Sequence, residues 1–239
     1  MTSTFSLGRI AGIPLGLHYS FFVLLALLTW RVSGDVLPDR YPGWDSWAYW
    51  ATGAVAAVLL SVSVVVHELA HSLVARARGI AVGGINLFIL GGVSNLEADS
   101  KRARDEFYVA IVGPTTSILI SVLLMGVAWI LGGGSSPLNA VVWYLAIVNL
   151  VLGIFNLLPV FPLDGGRVLR SFIWAVTGSH SSATRVSSIL GRTAGIGLIA
   201  LGVYWFVSDN PLGGVWLVFI GWFVQTTARR SKSDEEDVG

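Results

Sequence analysis

The 239-residue chain is expected to fold as an all-α polytopic membrane protein, with about six transmembrane helices and a glycine-rich β-hairpin or re-entrant loop. Three observations predict this class. Charged residues make up only 12% of the chain and hydrophobic residues 54%, whereas a soluble domain carries about 25% charge. Mean hydropathy is +0.73. The apolar residues also come in charge-free blocks near the ~20 residues that a helix needs to span a bilayer.

Taken in order, Ile10 to Trp30 lacks Asp, Glu, Lys and Arg and reads as the first span. It is about as long as a spanning helix and lacks a strongly basic leader, so no cleavable signal peptide is expected. Ser46 to His67 is the second charge-free run, and its helix is expected to continue to about Arg78. Ile80 to Leu96 is apolar but interrupted by Gly83, Gly84, Gly91 and Gly92, which suits a β-hairpin or re-entrant loop better than a helix. Backbone of that kind at membrane depth must be buried in protein or line a wet cavity. Phe107 to Leu131 and Leu138 to Leu158 give the third and fourth spans. Pro159 to Gly166, with its prolines and glycines, breaks the chain after the fourth. Thr193 to Val207 and Leu212 to Ala228 are shorter and are read as the fifth and sixth, with Asp209 and Pro211 marking the turn between them. Residues 1–228 thus form one core, and the polar tail Arg229 to Gly239 is expected to be disordered. No internal repeat is visible.

Lys and Arg predict the orientation. With both termini in the cytoplasm, the inner segments hold Arg9, Arg76, Arg78, Lys101, Arg102, Arg104, Arg167, Arg170, Arg185, Arg192, Arg229, Arg230 and Lys232, and the outer loops only Arg31 and Arg40. Trp44, Trp47, Tyr49 and Trp50 fit an outer aromatic belt. The reading is a multi-pass cell-membrane protein whose partners include the lipid bilayer and exclude nucleic acid.

With no cysteine in the chain, disulfides and thiolate metal sites are excluded, and a metal must sit on His and carboxylate ligands. His67-Glu68-Leu69-Ala70-His71 is an H-E-x-x-H pattern inside an apolar helix. Positions i and i+4 share a helix face, so two imidazoles can grip one Zn²⁺ while Glu68 works on water. The competing reading is a pair of structural histidines near a headgroup boundary. Ionisable residues within spans are costly, which favours the metal.

A catalytic zinc usually has three protein ligands and one open position. Asp35, Asp39, Asp45 and Asp209 fall in outer loops, and Glu97, Asp99, Asp105 and Glu106 in the polar inner loop. Only Glu68 and Asp164 sit in or at the end of an apolar span. Asp164 follows Pro159 and Pro162, which stop the helix, and precedes Gly165 and Gly166, which permit a tight turn. Spans two and four both run outside to inside, so their ends share the cytoplasmic half of the membrane. At ~1.5 Å per residue from the aromatic belt, His67 falls near the inner edge of a ~30 Å core. An ordinary Asp-Gly turn at the membrane surface is the alternative for Asp164.

These features closely resemble the site-2 protease family. The matching elements are HELAH in an apolar helix, the Gly91-Gly92 loop after it, Gly113-Pro114 in the third span, and NLLPVFPLDGGRVLR from Asn156 to Arg170. The resemblance extends from about Ile10 to Ala228. It implies a zinc-dependent intramembrane endopeptidase that cleaves within the spans of single-pass proteins, often membrane-tethered regulators. It implies one zinc on His67, His71 and Asp164, with Glu68 as general base, and a contact from Asn156 to substrate backbone. A capping or helix-helix hydrogen bond is the alternative for Asn156. Gly91 and Gly92 are either turn glycines or part of a strand edge that pairs with an unwound substrate. His18 is expected to be structural or interfacial, and His180 to lie solvated in a loop. No loop is long enough for the PDZ domain that some members carry, and the CBS domains of another branch are missing after the last span. A minimal member or a core from a longer protein is therefore expected. The rival of a different class is an ion or metal transporter using Glu68 and Asp164, although transporters usually show repeated halves.

Overall fold

The computed structural model describes residues 4–89, 91–96, 100–132, 134–208 and 211–236. It divides into two compact units, residues 1–99 with 112–154, and residues 100–111 with 155–239. Five helical segments among the described residues are long and apolar enough to cross a membrane: Ser20–Arg40, Ser46–Ala77, Ala103–Ile130, Pro137–Asn156 and His180–Ser208. Gly213–Thr227 is apolar but shorter. The helical membrane class and the added small sheet are as the sequence implied.

The first unit opens with β1 (Phe5–Ile10) and β2 (Ile13–Leu17). The expected span from Ile10 to Trp30 is therefore corrected: its first third is a hairpin, and helix α1 (Ser20–Arg31) begins only at Ser20. The turn is made by Ala11 (φ 51°) and Gly12 (φ 79°), both left-handed, and Pro14 in β2 disfavours helix. Ile13, Leu15 and Leu17 alternate at period two and are buried with Phe21, Ile85 and Leu87. A π-helical stretch (Val32–Val36) and the short α2 (Leu37–Arg40) prolong the segment to Arg40.

Helix α3 (Ser46–Ala77) follows, then β3 (Val82–Phe88) and β4 (Gly91–Leu96). The glycine-rich segment is thus a hairpin. The sheet order is β1-β2-β3-β4, with β2 and β3 parallel (Leu15 opposite Ile85, Leu17 opposite Leu87) and the other pairs antiparallel. β4 is consequently an edge strand. Val64, Val65 and Leu69 of α3 pack against the apolar cluster of the sheet, which brings the sheet beside the H-E-x-x-H turn.

A second cluster joins Val32 and Leu37 to Ala56 and Leu60 of α3 and to Ala140, Val141 and Leu145 of α5 (Pro137–Asn156). Helix α4 (Ala103–Ile130) meets α5 at close range: a Cβ on Gly153 would lie 2.6 Å from Ile118 Cγ1 and 2.9 Å from the Pro114 carbonyl oxygen. The expected aromatic belt divides. Trp47 and Trp50 are exposed, while Tyr41, Trp44 and Tyr49 stack at 5.3 and 5.4 Å, and the Tyr49 hydroxyl donates to the Tyr41 carbonyl (2.6 Å).

In the second unit, α6 (Asp164–Thr177) is an amphipathic helix that the charge-free blocks did not indicate. It ends at Gly178, whose left-handed φ of 70° places the amide against the Trp174 carbonyl. Helix α7 (His180–Ser208) starts well before Thr193. Its first turns are polar in sequence, yet Thr184, Ser187 and Ser188 are buried. His180 is accordingly not a solvated loop residue: it is half-buried in the first turn of α7, its ring 4.7 Å from that of Trp174. Helix α8 (Pro211–Glu236) runs through most of the tail expected to be disordered. Arg, Lys and Glu are good helix formers, so a preceding helix can extend through them. Glu97, Asp99 and Asp209, read as loop acids, and residues 237–239 of the tail lie outside the described residues.

Glu106 also departs from expectation. It is not a loop acid but a residue of α4, 1% exposed, and it accepts Arg170 Nε at 2.6 Å.

Candidate metal centre

His67, Glu68 and His71 lie on α3 with no break in the helix. The two imidazoles share one face and are 4 and 5% exposed, and their Nε2 atoms are 3.1 Å apart. Two ligands about 2.0–2.1 Å from a tetrahedral zinc would stand roughly 3.3 Å apart, so the spacing suits one shared ion. His67 Nδ1 is 2.9 Å from Ser117 Oγ on α4. With Nδ1–H donating to that oxygen, the Nε2 lone pair is directed to the side where His71 Nε2 lies.

What makes room for these rings is Gly113 of α4. A Cβ there would lie 2.7 Å from His67 Nε2 and closer still to the His71 ring. A helix without a side chain at that position can approach α3 at the one place where both nitrogens converge. The donor set, its burial and the space around it fit a zinc ion held on imidazole.

Glu68 is half-buried and faces β4. Ser94 Oγ lies 2.7 Å from Glu68 Oε2 and 3.0 Å from the Glu68 carbonyl oxygen, and Ser72 Oγ donates to Ser94 Oγ at 3.1 Å. A Cβ on Gly92 would come 2.7 Å from Glu68 Cγ. Gly92 and Ser94, two residues apart on a strand, therefore present one face to Glu68. Gly91, at φ 117°, pairs with Phe88 at the hairpin end. Sequence reasoning named Gly91 and Gly92 but missed Ser94. Its period-two relation to Gly92 was the available signal, once a strand was assumed.

Asp164 and Asn156 belong to the second unit. Asp164 is the first residue of α6, half-buried, with Leu163 as its N-cap. Asn156 ends α5 and is also half-buried. Gly165 and Gly166 bring the start of α6 onto the preceding loop: a Cβ on Gly166 would lie 2.5 Å from the Phe161 nitrogen, and one on Gly165 would strike the Leu157 carbonyl. The two glycines are thus required by close backbone approach, beyond the tight turn expected of them. His18 bridges β2 and α1: its amide donates to the Leu87 carbonyl at 2.8 Å, and its Nδ1 pairs with Ser20 Oγ at 2.7 Å.

A helical polytopic protein with a buried H-E-x-x-H histidine pair, a glycine cradle and an acid set against a strand has the architecture of a membrane metallopeptidase. The model of Peptidase family M50 matches residues 55–140 and 133–201, and the chain belongs to that family. Its fold is similar to that of the Site-2 Protease from Methanocaldococcus jannaschii, with a TM-score of 0.64 and 29% identity over 95% of this chain and 94% of that one. In sequence it is 41% identical to Rip3 of Mycobacterium tuberculosis strain H37Rv, over 98% of this chain, and 38% identical to sll0528 of Synechocystis, over 97%. Those two are named as candidate zinc metalloproteases. The chain spans 60% of the length of each.

Proposed function

We propose that this protein is a zinc-dependent intramembrane endopeptidase that hydrolyses peptide bonds in or near the transmembrane segment of single-pass proteins, membrane-tethered regulators among them. The observation that carries this reading is the pair of buried Nε2 atoms converging 3.1 Å apart over Gly113, with the Glu68 carboxylate on the next residue. Asp164 is the third metal ligand. Its support is the sequence: it is the acid within the proline- and glycine-broken stretch after the fourth apolar helix, inside the part of the chain that the family model matches from 133 to 201.

When bound, zinc supplies a Lewis acid that acidifies water and polarises a carbonyl. His67 and His71 hold the ion, with Ser117 fixing the His67 ring. Glu68 takes the proton of the attacking water and returns it to the leaving amine nitrogen as the C–N bond breaks. The Ser94 hydroxyl holds the carboxylate in place through Glu68 Oε2. β4, an edge strand whose residues Gly92 and Ser94 face Glu68, is where an unwound substrate adds as a further strand. Gly91 and Gly92 keep that edge free of side chains, and Asn156 contacts substrate backbone.

The direct test is co-expression with a tagged single-pass substrate candidate and detection of a shorter, tagged fragment. The fragment is expected with the unaltered protein and absent with His67→Ala. Equal fragment yield with both would refute the reading. Ser94→Ala should lower cleavage about 10-fold or more, because hydrogen bonds to charged groups contribute ~1.5–3 kcal/mol. Its zinc content should stay the same. Unchanged cleavage would mean that Glu68 is oriented by something else.

Both termini are proposed to face the cytoplasm, on the Lys and Arg distribution. The chain has no cysteine, so single introduced thiols report cleanly. Ser135 and Ser181 are both exposed. Ser135→Cys should react with a membrane-impermeant thiol reagent added to intact cells, and Ser181→Cys should not. The reverse pattern would invert the topology.

A further inference from the structure

The second unit contains a buried ion pair that the proposed chemistry does not use. Arg170, on the second turn of α6 after Asp164, donates from Nε and Nη2 to a single oxygen of Glu106, at 2.6 and 2.5 Å. Both residues are buried, Glu106 at 1% and Arg170 at 8% exposure. The Arg170 guanidinium also lies 5.9 Å from the centre of the Phe161 ring, in the loop between α5 and α6. One side chain therefore touches α4, α6 and the loop that delivers Asp164. The remaining Glu106 oxygen, Oε2, is buried and has no hydrogen-bond partner among the described residues.

Burying two charges is costly, and apolar residues of similar volume are often as stabilising or more so. What an apolar replacement does not reproduce is direction. The guanidinium is a planar fork with fixed donor vectors, so it sets the register of one helix against another where flexible apolar chains do not. The helix so engaged is α4, through its first turns up to Ile111, which belong to the same unit as Arg170.

We propose that Glu106 and Arg170 are positioning residues for Asp164. Their ion pair fixes α6, and with it Asp164, to the first turns of α4. This rests on Asp164 being the third zinc ligand, as proposed above. Two restraints then bear on the helix that begins at Asp164: the close approach of Gly165 and Gly166 to the Leu157–Phe161 backbone, and the Arg170 anchor. Groups that orient metal ligands typically change metal affinity by about 10- to 100-fold when removed.

The test measures zinc affinity by chelator competition on the purified full chain, and separately the thermal midpoint after metal removal. The variants are Glu106→Gln, Arg170→Lys and the double change Glu106→Met with Arg170→Met, with His67→Ala and Asp164→Asn as references. Glu106→Gln should lose both metal-free stability and zinc affinity. Arg170→Lys keeps the charge but loses the fork, so it should fold and bind zinc several-fold more weakly. The double Met variant should recover the metal-free midpoint while its zinc affinity stays about 10-fold or more below that of the unaltered protein. A purely structural pair would move only the midpoint. If the double Met variant does not fold, Arg170→Lys decides. Unaltered zinc affinity in either folded variant, with both references zinc-poor, overturns the inference and leaves the ligand assignment standing. Unaltered affinity in Asp164→Asn overturns the assignment, and the inference with it.

Discussion

Glu68→Gln is expected to lower proteolysis by about 10²- to 10⁴-fold, the usual contribution of a positioned general base, without loss of zinc. The expectation follows from where Glu68 stands. It shares α3 with the two histidines, and its carboxylate is held by Ser94 on β4 while the two imidazoles supply the converging Nε2 atoms. Glutamine preserves the shape and can still accept from Ser94, so the fold and the imidazole pair are undisturbed. What it loses is the capacity to take a proton. Asp164→Asn is expected to behave differently. A neutral amide is a poor zinc ligand, so zinc content and cleavage should fall together. Metal analysis and fragment yield on the same two preparations distinguish the roles. If Glu68→Gln lost its zinc while Asp164→Asn kept both zinc and activity, the roles assigned to the two carboxylates would be wrong.

Gly113→Ala should be the most damaging single methyl group that can be added to the protein's metal centre. Glycine to alanine in the interior of a helix ordinarily stabilises by roughly 0.5–1 kcal/mol, since alanine has less backbone freedom to lose. At Gly113 the new Cβ would occupy the space between α4 and both histidine rings. Overpacking of that kind costs about 1–3 kcal/mol, and here the atoms that must yield are the proposed metal ligands. Zinc content is expected to fall sharply and cleavage with it. Gly126→Ala, on the same helix with open space around its Cβ position, is the matched control and should leave both unchanged. Equal zinc content in the two variants would show that the histidines do not depend on the cradle.

The most local features were legible in the chain itself. Long charge-free blocks set the helical membrane class, because transfer of apolar helix into lipid depends on composition over a window. The i, i+4 histidines around Glu68 became one helix face because α-helix geometry is the same everywhere. The glycine-broken stretch from Ile80 to Leu96 became a hairpin for an equally local reason. The errors fell where a local signal had two outcomes. Hydropathy alone could not tell that Ile10 to Leu17 would be strand, although Pro14 and the alternation of Ile13, Leu15 and Leu17 pointed that way. It was pairing with β3, more than sixty residues later, that decided it.

Charge was misread for a related reason. Glu106 was expected in a polar loop because an acid is costly in an apolar setting, and only Arg170 from a distant helix makes its burial tolerable. Ser117 carries no signal of its own, Ser94 only its period-two relation to Gly92, and Gly113 only its place in the Gly113-Pro114 pair. A serine or glycine in an apolar helix or strand is ordinary until tertiary packing sets it against a histidine ring or a carboxylate. The sequence by itself determined the fold class, the two histidines and the acid between them. The hydrogen bonds that orient those groups, and the space that admits a metal between them, join residues up to fifty positions apart, and only the tertiary structure decided them.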